Sequence, residues 1–238
     1  MFSILLETRD VIAVDKPAGL AAIPERDPTR VCLLAQLAEH YGEKLYVVHR
    51  LDKEVSGVMV FARNAHAHRY LNDQFCRRAV AKTYTALAHG RLIADQGAID
   101  QPLHQFGSGR VAVDDRRGKP SLTEYRVAER LTGYTLLDVT PLSGRRHQIR
   151  AHLYSIGHPL VGDRRYGDPG EQARFPRLML HARRLAFTLP DGNSLAIAAP
   201  LPESFTEVLA GMRAASVASA RDERDGDPPT LSMASHRT

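Results

Sequence analysis

Apolar positions along this chain follow two spacings. Short β-branched runs at residues 4–6 and 11–14 predict two strands that end at the turn signal Lys16-Pro17-Ala18-Gly19. Residues 31–41 switch to helical spacing, with Leu33, Leu34, Leu37, Ala38 and Tyr41 on one face. Residues 46–49 and 57–62 read as strands. Asn64 then caps a helix that turns Ala67, Tyr70, Leu71 and Phe75 to one side. A strand is predicted over 82–89, and a hairpin over 123–131 and 134–140 around Thr132-Gly133. Ser143 is the expected cap of a helix that buries Ile149, Leu153 and Ile156 and closes at Gly157 and Pro159. Strands over 178–189 and 194–198 and a helix over 202–212 complete the pattern. Strict β-α alternation and internal repeats are both absent. The pattern therefore predicts an α+β fold, with a mixed, largely antiparallel central sheet flanked by helices and loops.

Composition sharpens the domain reading. The 238 residues are 43% hydrophobic and 25% charged, enough for a substantial core. Residues 213–238 are small, polar and broken by Pro228-Pro229, with four Arg balanced by four acids. The expectation is a folded body over 1–212 and a disordered, dispensable tail over 213–238. No apolar run is long enough to span a membrane, and the first residues lack a basic n-region, so a cytoplasmic location without membrane attachment is expected. Cys32 and Cys76 form no Cys-x-x-Cys pair, which argues against a disulfide framework or a cysteine zinc site.

Charge points to an anionic partner. The net charge is +5, and Arg supplies 27 of the 32 basic residues. Residues 63–91 carry six cations against Asp73, and residues 143–184 carry nine Arg against Asp163, Asp168 and Glu171. Two such stretches beside strand ends suit a polyanion groove better than two solvated faces.

Two segments could carry chemistry. Residues 49–57 read His-Arg-Leu-Asp-Lys-Glu-Val-Ser-Gly between two predicted strands. Arg50 and Lys53 would favour an ionised, nucleophilic Asp52 if they point the same way, although on spacing alone a capping Asp in a polar loop is the plainer reading. Residues 144–150 read Gly-Arg-Arg-His-Gln-Ile-Arg. On a helix, Arg146 and Arg150 share a face, and His147, Arg150 and Tyr154 form a polar stripe beside it. Such a helix start suits phosphate or a carboxylate; an exposed basic helix is the plainer reading. Other arrangements carry little. The eleven His show no metal-binding spacing, Ser56 lacks a nucleophile elbow, and Gly107-Ser108-Gly109 is a flexible loop without a phosphate-binding pattern. Asp52 and Glu54 make only a weak case for a paired-carboxylate glycosidase.

Taken in order, the segments resemble the RluA family of RNA pseudouridine synthases. They are residues 14–20 (Val-Asp-Lys-Pro-Ala-Gly-Leu), 49–57, 82–87 (Lys-Thr-Tyr-Thr-Ala-Leu), 119–125, 144–150, 157–163 and 180–182. Val55 stands where that family usually has Thr, and Asp15 where Asn is common. The motifs begin near residue 4, which implies a short form without an S4-type domain. The resemblance implies isomerisation of uridine to pseudouridine in structured RNA, 23S rRNA or a tRNA stem-loop. It implies no cofactor, no metal and a monomer. It makes Asp52 the nucleophile, Arg150 its pairing cation and Tyr84 the aromatic stacked on the target base. Arg50 would occupy the vacated space or contact backbone, Leu180 would form the opposite apolar wall, and Arg146 and His147 would contact RNA. The alternatives are a non-catalytic RNA-binding module on the same scaffold and a glycosidase-like hydrolase.

Overall fold

In the computed structural model, residues 2–225 are described apart from Arg26 and Pro28. Chain order is β1 (Ser3–Glu7), β2 (Val11–Lys16), α1 (Leu33–Tyr41), β3 (Tyr46–Val47), β4 (Ser56–Ala62), α2 (Ala65–Cys76), β5 (Ala81–His89) and β6 (Gln96–Asp100). There follow β7 (Leu103–Gln105), β8 (Val111–Val113), β9 (Leu122–Leu131), β10 (Tyr134–Pro141), α3 (Gln148–Ser155), α4 (Pro169–Gln172), β11 (Leu180–Thr188), β12 (Ser194–Ala198) and α5 (Glu203–Asp225). Ten strands form one sheet in the order β1-β2-β4-β11-β5-β10-β9-β6, with β3 on β4 and β12 on β11. Every pairing is antiparallel except β4 with β11. The predicted α+β class with a mixed, largely antiparallel sheet is what forms.

Both faces of the sheet are covered, which explains why its central strands read as unbroken apolar runs. Val11 and Ala13 of β2 with Val58 and Val60 of β4 face α2 and β12, while Ile12, Val14, Met59 and Phe61 face α1. Asn64 caps α2 as the sequence implies, its side-chain oxygen accepting from Ala67 N–H. In the other half of the sheet, Ala86, Leu137 and Val139 pack against Ile149 and Leu153 of α3. Phe205 and Leu209 of α5 cover Leu87 and Leu136 on the opposite face.

Three expectations are corrected. Ser143 does not cap α3, which starts five residues later with His147 at its N-cap; the Ser143 hydroxyl instead donates to Gln148 Oε1 at 2.7 Å. Ile156 lies at the C-cap and is exposed rather than in the core. The last helix does not stop at Met212 but continues to Asp225. Arg213 pairs with Glu129 at 2.6 Å, and Ser216 Oγ accepts from Thr132 N–H at 2.8 Å, so the β9–β10 hairpin holds the start of the expected tail. The expected disorder of residues 226–238 lies outside the described residues.

Two glycines set the backbone where the strands meet the cleft around Asp52. Gly57 opens β4 at φ 116°, against the parallel strand β11, and a Cβ there would overlap the Ala182 carbonyl. Gly162, at φ 75°, lies equally tight on the Arg177 carbonyl.

Candidate active site

Asp52 lies in the loop between β3 and β4, and apolar anchors on either side hold it. Leu51 and Val55 are buried in the core beneath α3, while the Asp52 carboxylate between them reaches the cleft. Val55 thus fills a core position with its methyls. The turn closes through Val55 N–H to the Asp52 carbonyl at 3.1 Å. Its outer carbonyl, on Lys53, accepts from Gly19 N–H at 2.8 Å and from Lys16 Nζ at 3.2 Å. Lys16 is wholly buried and gives its other donors to Pro17 and Leu20 carbonyls at 2.9 and 2.8 Å. Burial, with the Arg177 charge, pulls its pKa down to about 8, against the opposing pull of the Glu54, Asp52 and Asp15 carboxylates. One side chain so ties the Pro17-Ala18-Gly19-Leu20 turn to the Asp52 loop. His49 secures the other end. Its Nε2 accepts from Val60 N–H at 2.9 Å, its ring stacks on Phe75, and burial holds its pKa at about 3, so it is a neutral staple.

The cation at Asp52 is Arg150, not the adjacent Arg50 or Lys53. Lys53 turns to Glu25 at 3.6 Å. Arg150, 4% exposed on α3, uses Nε and Nη2 for a two-bond fork on Asp163, each at 2.8 Å. Its Nη1 is left for Asp52 Oδ2 at 3.3 Å and Glu54 Oε2 at 3.5 Å. Burial opposes the charged guanidinium, but the Asp163 bonds and the nearby carboxylates outweigh it and hold its pKa above the ordinary value. Asp163 is itself fixed by the Arg165 and Tyr166 N–H groups, at 3.0 and 3.2 Å. This buried partner carries no period or spacing signal of its own; its only trace in the sequence is the segment 157–163.

Arg146 does not share a helix face with Arg150, because α3 begins after it; the two meet instead on the cleft wall. His147 is not on a stripe with Tyr154. It takes a left-handed backbone (φ 52°), a conformation that His tolerates better than most residues. Its buried ring points Nδ1 to Tyr166 Oη at 3.0 Å and Nε2 toward Asp52 Oδ2 at 3.7 Å. Burial first, then the Arg150, Arg146 and Arg165 charges, bring its pKa down to about 3, so His147 is neutral and makes no ion pair.

The cleft has two arms that join at Arg50, Asp52, Arg146, His147 and Arg150. The first, about 480 Å3, is walled by Tyr84 of β5, Leu180 of β11, Phe75 and Ile149. Burial, then the Asp52 charge, push the Tyr84 hydroxyl above its ordinary pKa, so it stays protonated. The second, about 750 Å3, collects Arg164, Arg165 and Arg177 around Phe175 and Pro176. Arg50, Arg146 and Arg164 have no side-chain hydrogen-bond partner among the described residues. These three guanidiniums line the cleft together with the carboxylates of Asp52, Glu54 and Glu25. All seven residues singled out from the sequence, Asp52, Tyr84, Arg150, Arg50, Arg146, His147 and Leu180, line this cleft. Among the described residues, no group of three or more His, Cys, Asp or Glu side chains is placed to hold a metal ion, and no helix is long and apolar enough to cross a membrane.

Comparison with known proteins agrees with this geometry. The family model described as RNA pseudouridylate synthase matches residues 10–155, which include the Asp52 loop, Tyr84 and Arg150. The chain belongs to the RNA pseudouridylate synthase family. It is 40% identical over 225 residues to ribosomal large subunit pseudouridine synthase D of Nitrosomonas europaea, a match covering 88% of this chain and 65% of that protein. It is 38% identical over 202 residues to the dual-specificity RNA pseudouridine synthase RluA of Escherichia coli, covering 83% and 92%. Among solved structures, human RNA pseudouridylate synthase domain containing 4 superposes with a TM-score of 0.73 at 27% identity, covering 89% of this chain and 93% of that one. The family's reaction, isomerisation of uridine within RNA, classes this pseudouridine synthase as an isomerase.

Proposed function

We propose that this synthase isomerises specific uridines of a structured RNA, rRNA or a tRNA stem-loop, with Asp52 as the nucleophile. The observation that carries the reading is Asp52 with its Arg150 counter-charge, set where an aromatic-walled arm meets an arginine-rich one. The reaction breaks the N1–C1′ bond, turns the uracil and joins C5 to C1′. It is redox-neutral and conserves mass, so it calls for no cofactor. The uracil must leave its stack to reach a recessed carboxylate. Tyr84 and Leu180 offer the two faces between which it sits, and stacking on one aromatic returns about 1–3 kcal/mol of the unstacking cost. Arg50 occupies the vacated space or contacts backbone, and Arg146, with the other free guanidiniums, faces phosphates. The protein works as a monomer in the cytoplasm, where such RNA is found.

The test is pseudouridine mapping of total RNA from cells lacking the gene, by carbodiimide adducts that stop reverse transcription. The expected result is loss of one or a few sites, restored by the wild-type gene and not by Asp52→Asn. Purified protein that binds uridine-containing transcripts of those sites but never converts them would overturn the enzyme reading in favour of a binding module; free uracil would point to a hydrolase.

The free guanidiniums carry their own prediction. Every phosphate that a variant no longer neutralises lowers the slope of log affinity against log salt by about 0.7–0.9. The double variant Arg146→Gln/Arg164→Gln is expected to flatten that slope by roughly 1.5 and to raise KM more than it lowers kcat. Filter binding from low to high salt checks it; an unchanged slope would remove the second arm from the RNA path.

A further inference from the structure

Beside Asp52 stands a group for which the proposed chemistry has no use. His147 is buried, neutral and fixed in a left-handed backbone, and it brings one ring nitrogen within 3.7 Å of Asp52 Oδ2. Its hydrogen bonds decide which nitrogen carries the proton. Val111 N–H donates to Tyr166 Oη at 3.0 Å, and the same oxygen lies 3.0 Å from His147 Nδ1. The Tyr166 O–H has no other acceptor among the described residues, so it donates to Nδ1, and the imidazole proton is then on Nε2, facing Asp52. A gap of 3.7 Å is too long for a direct bond. An oxygen about 2.8 Å from both groups, however, closes a triangle with them. That oxygen must accept from the N–H and donate to the carboxylate, which a hydroxyl does and a carbonyl or phosphate oxygen does not.

We infer that His147 and Asp52 together grip a ribose hydroxyl of the target nucleotide, the 2′-OH beside C1′, with Tyr166 as the positioning residue that sets the His147 tautomer. The inference rests on the reading that Asp52 acts at the ribose of a uridine, since only then is the 2′-OH the hydroxyl within its reach. It makes His147 a specificity-determining residue, one that tells ribose from deoxyribose at a single position, and not a contact to the RNA backbone at large. A buried N–H left without its acceptor is the penalty that rejects the deoxy nucleotide. Tyr166 belongs to the arrangement because its phenol is anchored on β8, whose Val111 packs with Tyr166 and Ala151.

The experiment is a cycle between enzyme variants and two transcripts that differ only in a 2′-OH or 2′-H at the target uridine. His147→Asn keeps a residue suited to the left-handed backbone and shortens the side chain, so that no N–H reaches Asp52. Tyr166→Phe removes one oxygen and frees the tautomer. Wild type is expected to lose about ten-fold in kcat/KM on the 2′-H transcript, the equivalent of one good hydrogen bond. His147→Asn is expected to lose about ten-fold on the natural transcript and to discriminate between the two by less than about two-fold. Tyr166→Phe should fall between. Equal discrimination by wild type and by either folded variant would overturn the inference and leave His147 a structural residue. Should His147→Asn fail to fold, Tyr166→Phe alone decides. Inactivity of wild type on both transcripts, with binding intact, would sink the isomerase reading itself and is distinct from loss of coupling.

Discussion

Asp52→Asn is expected to give a folded protein that binds RNA within a few-fold of wild type and makes no pseudouridine. The amide keeps the size and shape of the carboxylate and one acceptor oxygen for Arg150, but it has no charge and cannot act as a nucleophile. Loss of a nucleophile costs at least about 10⁴-fold in turnover where its role is chemical. Stability should hardly change. Asp52 takes only Nη1 of Arg150, at 3.3 Å, while Nε and Nη2 remain locked on Asp163. The loop backbone stays tied by the bonds of Lys16, Gly19 and Val55, none of which involves the Asp52 side chain. Affinity for RNA should rise slightly, because a negative charge leaves a groove lined by Arg50, Arg146 and Arg164. Primer-extension mapping of a target transcript, with a binding isotherm and a melting curve on the same sample, separates the three quantities. Turnover within about ten-fold of wild type would remove Asp52 from the chemistry.

Much of the fold is legible in the sequence because its central strands and α1 and α2 announce themselves by period. The strands β2 and β4 are apolar on consecutive residues because helices or strands cover both sheet faces, and α2 carries both its apolar stripe and its Asn64 cap. The elements that escape notice lack such marks. Strands β7 and β8 are three residues each, too short for alternation to register. Helix α3 is expected from Ile149 and Leu153, but its start is not: it has only eight residues and also buries Gln148, Arg150 and His152, so its polar residues do not mark a solvent face. They are satisfied internally instead: Gln148 Nε2 donates to Thr123 Oγ1 at 3.0 Å, and Thr123 Oγ1 lies 2.8 Å from His152 Nδ1. No reading of spacing exposes such a network, because its partners lie far apart in the chain.

The same limit governs the site. Asp52, Tyr84 and Arg150 belong to ordered segments that the chain displays in sequence. What holds them does not follow from residue type. Lys16 opens the Lys-Pro-Ala-Gly turn, yet its three carbonyl partners exist only once the turn after β2 meets the Asp52 loop. Tyr166 has no sequence signal at all, and its role depends on Val111 and His147, from two other elements. The start of the expected tail is helical for a comparable reason: a composition rich in Ala and Ser is ambiguous alone, and contacts to the β9–β10 hairpin decide it.

Asp163→Asn should behave in the opposite way to Asp52→Asn, although both carboxylates bind the same guanidinium. Asp163 is fully buried and takes the two-bond fork of Arg150, itself 4% exposed. Replacing one charge of a buried pair leaves the other uncompensated, at a cost of about 3–5 kcal/mol. In a chain of this size, about 3 kcal/mol lowers Tm by roughly 6–12 °C. Activity should fall as well, because a guanidinium with one anchor gone no longer holds Nη1 at Asp52. The control is Arg150→Met, alone and combined with Asp163→Asn. The single change strands a buried carboxylate; the combination removes both charges, so its loss of stability should be smaller than the sum of the two by at least about 1 kcal/mol. Neither Arg150→Met nor the combination should recover turnover, since the Asp52 counter-charge is gone in both. Urea denaturation of the four proteins measures the coupling. Additive losses would mean that Arg150 and Asp163 are not energetically paired, and would make Asp52 and Glu54 the anchors of the arginine.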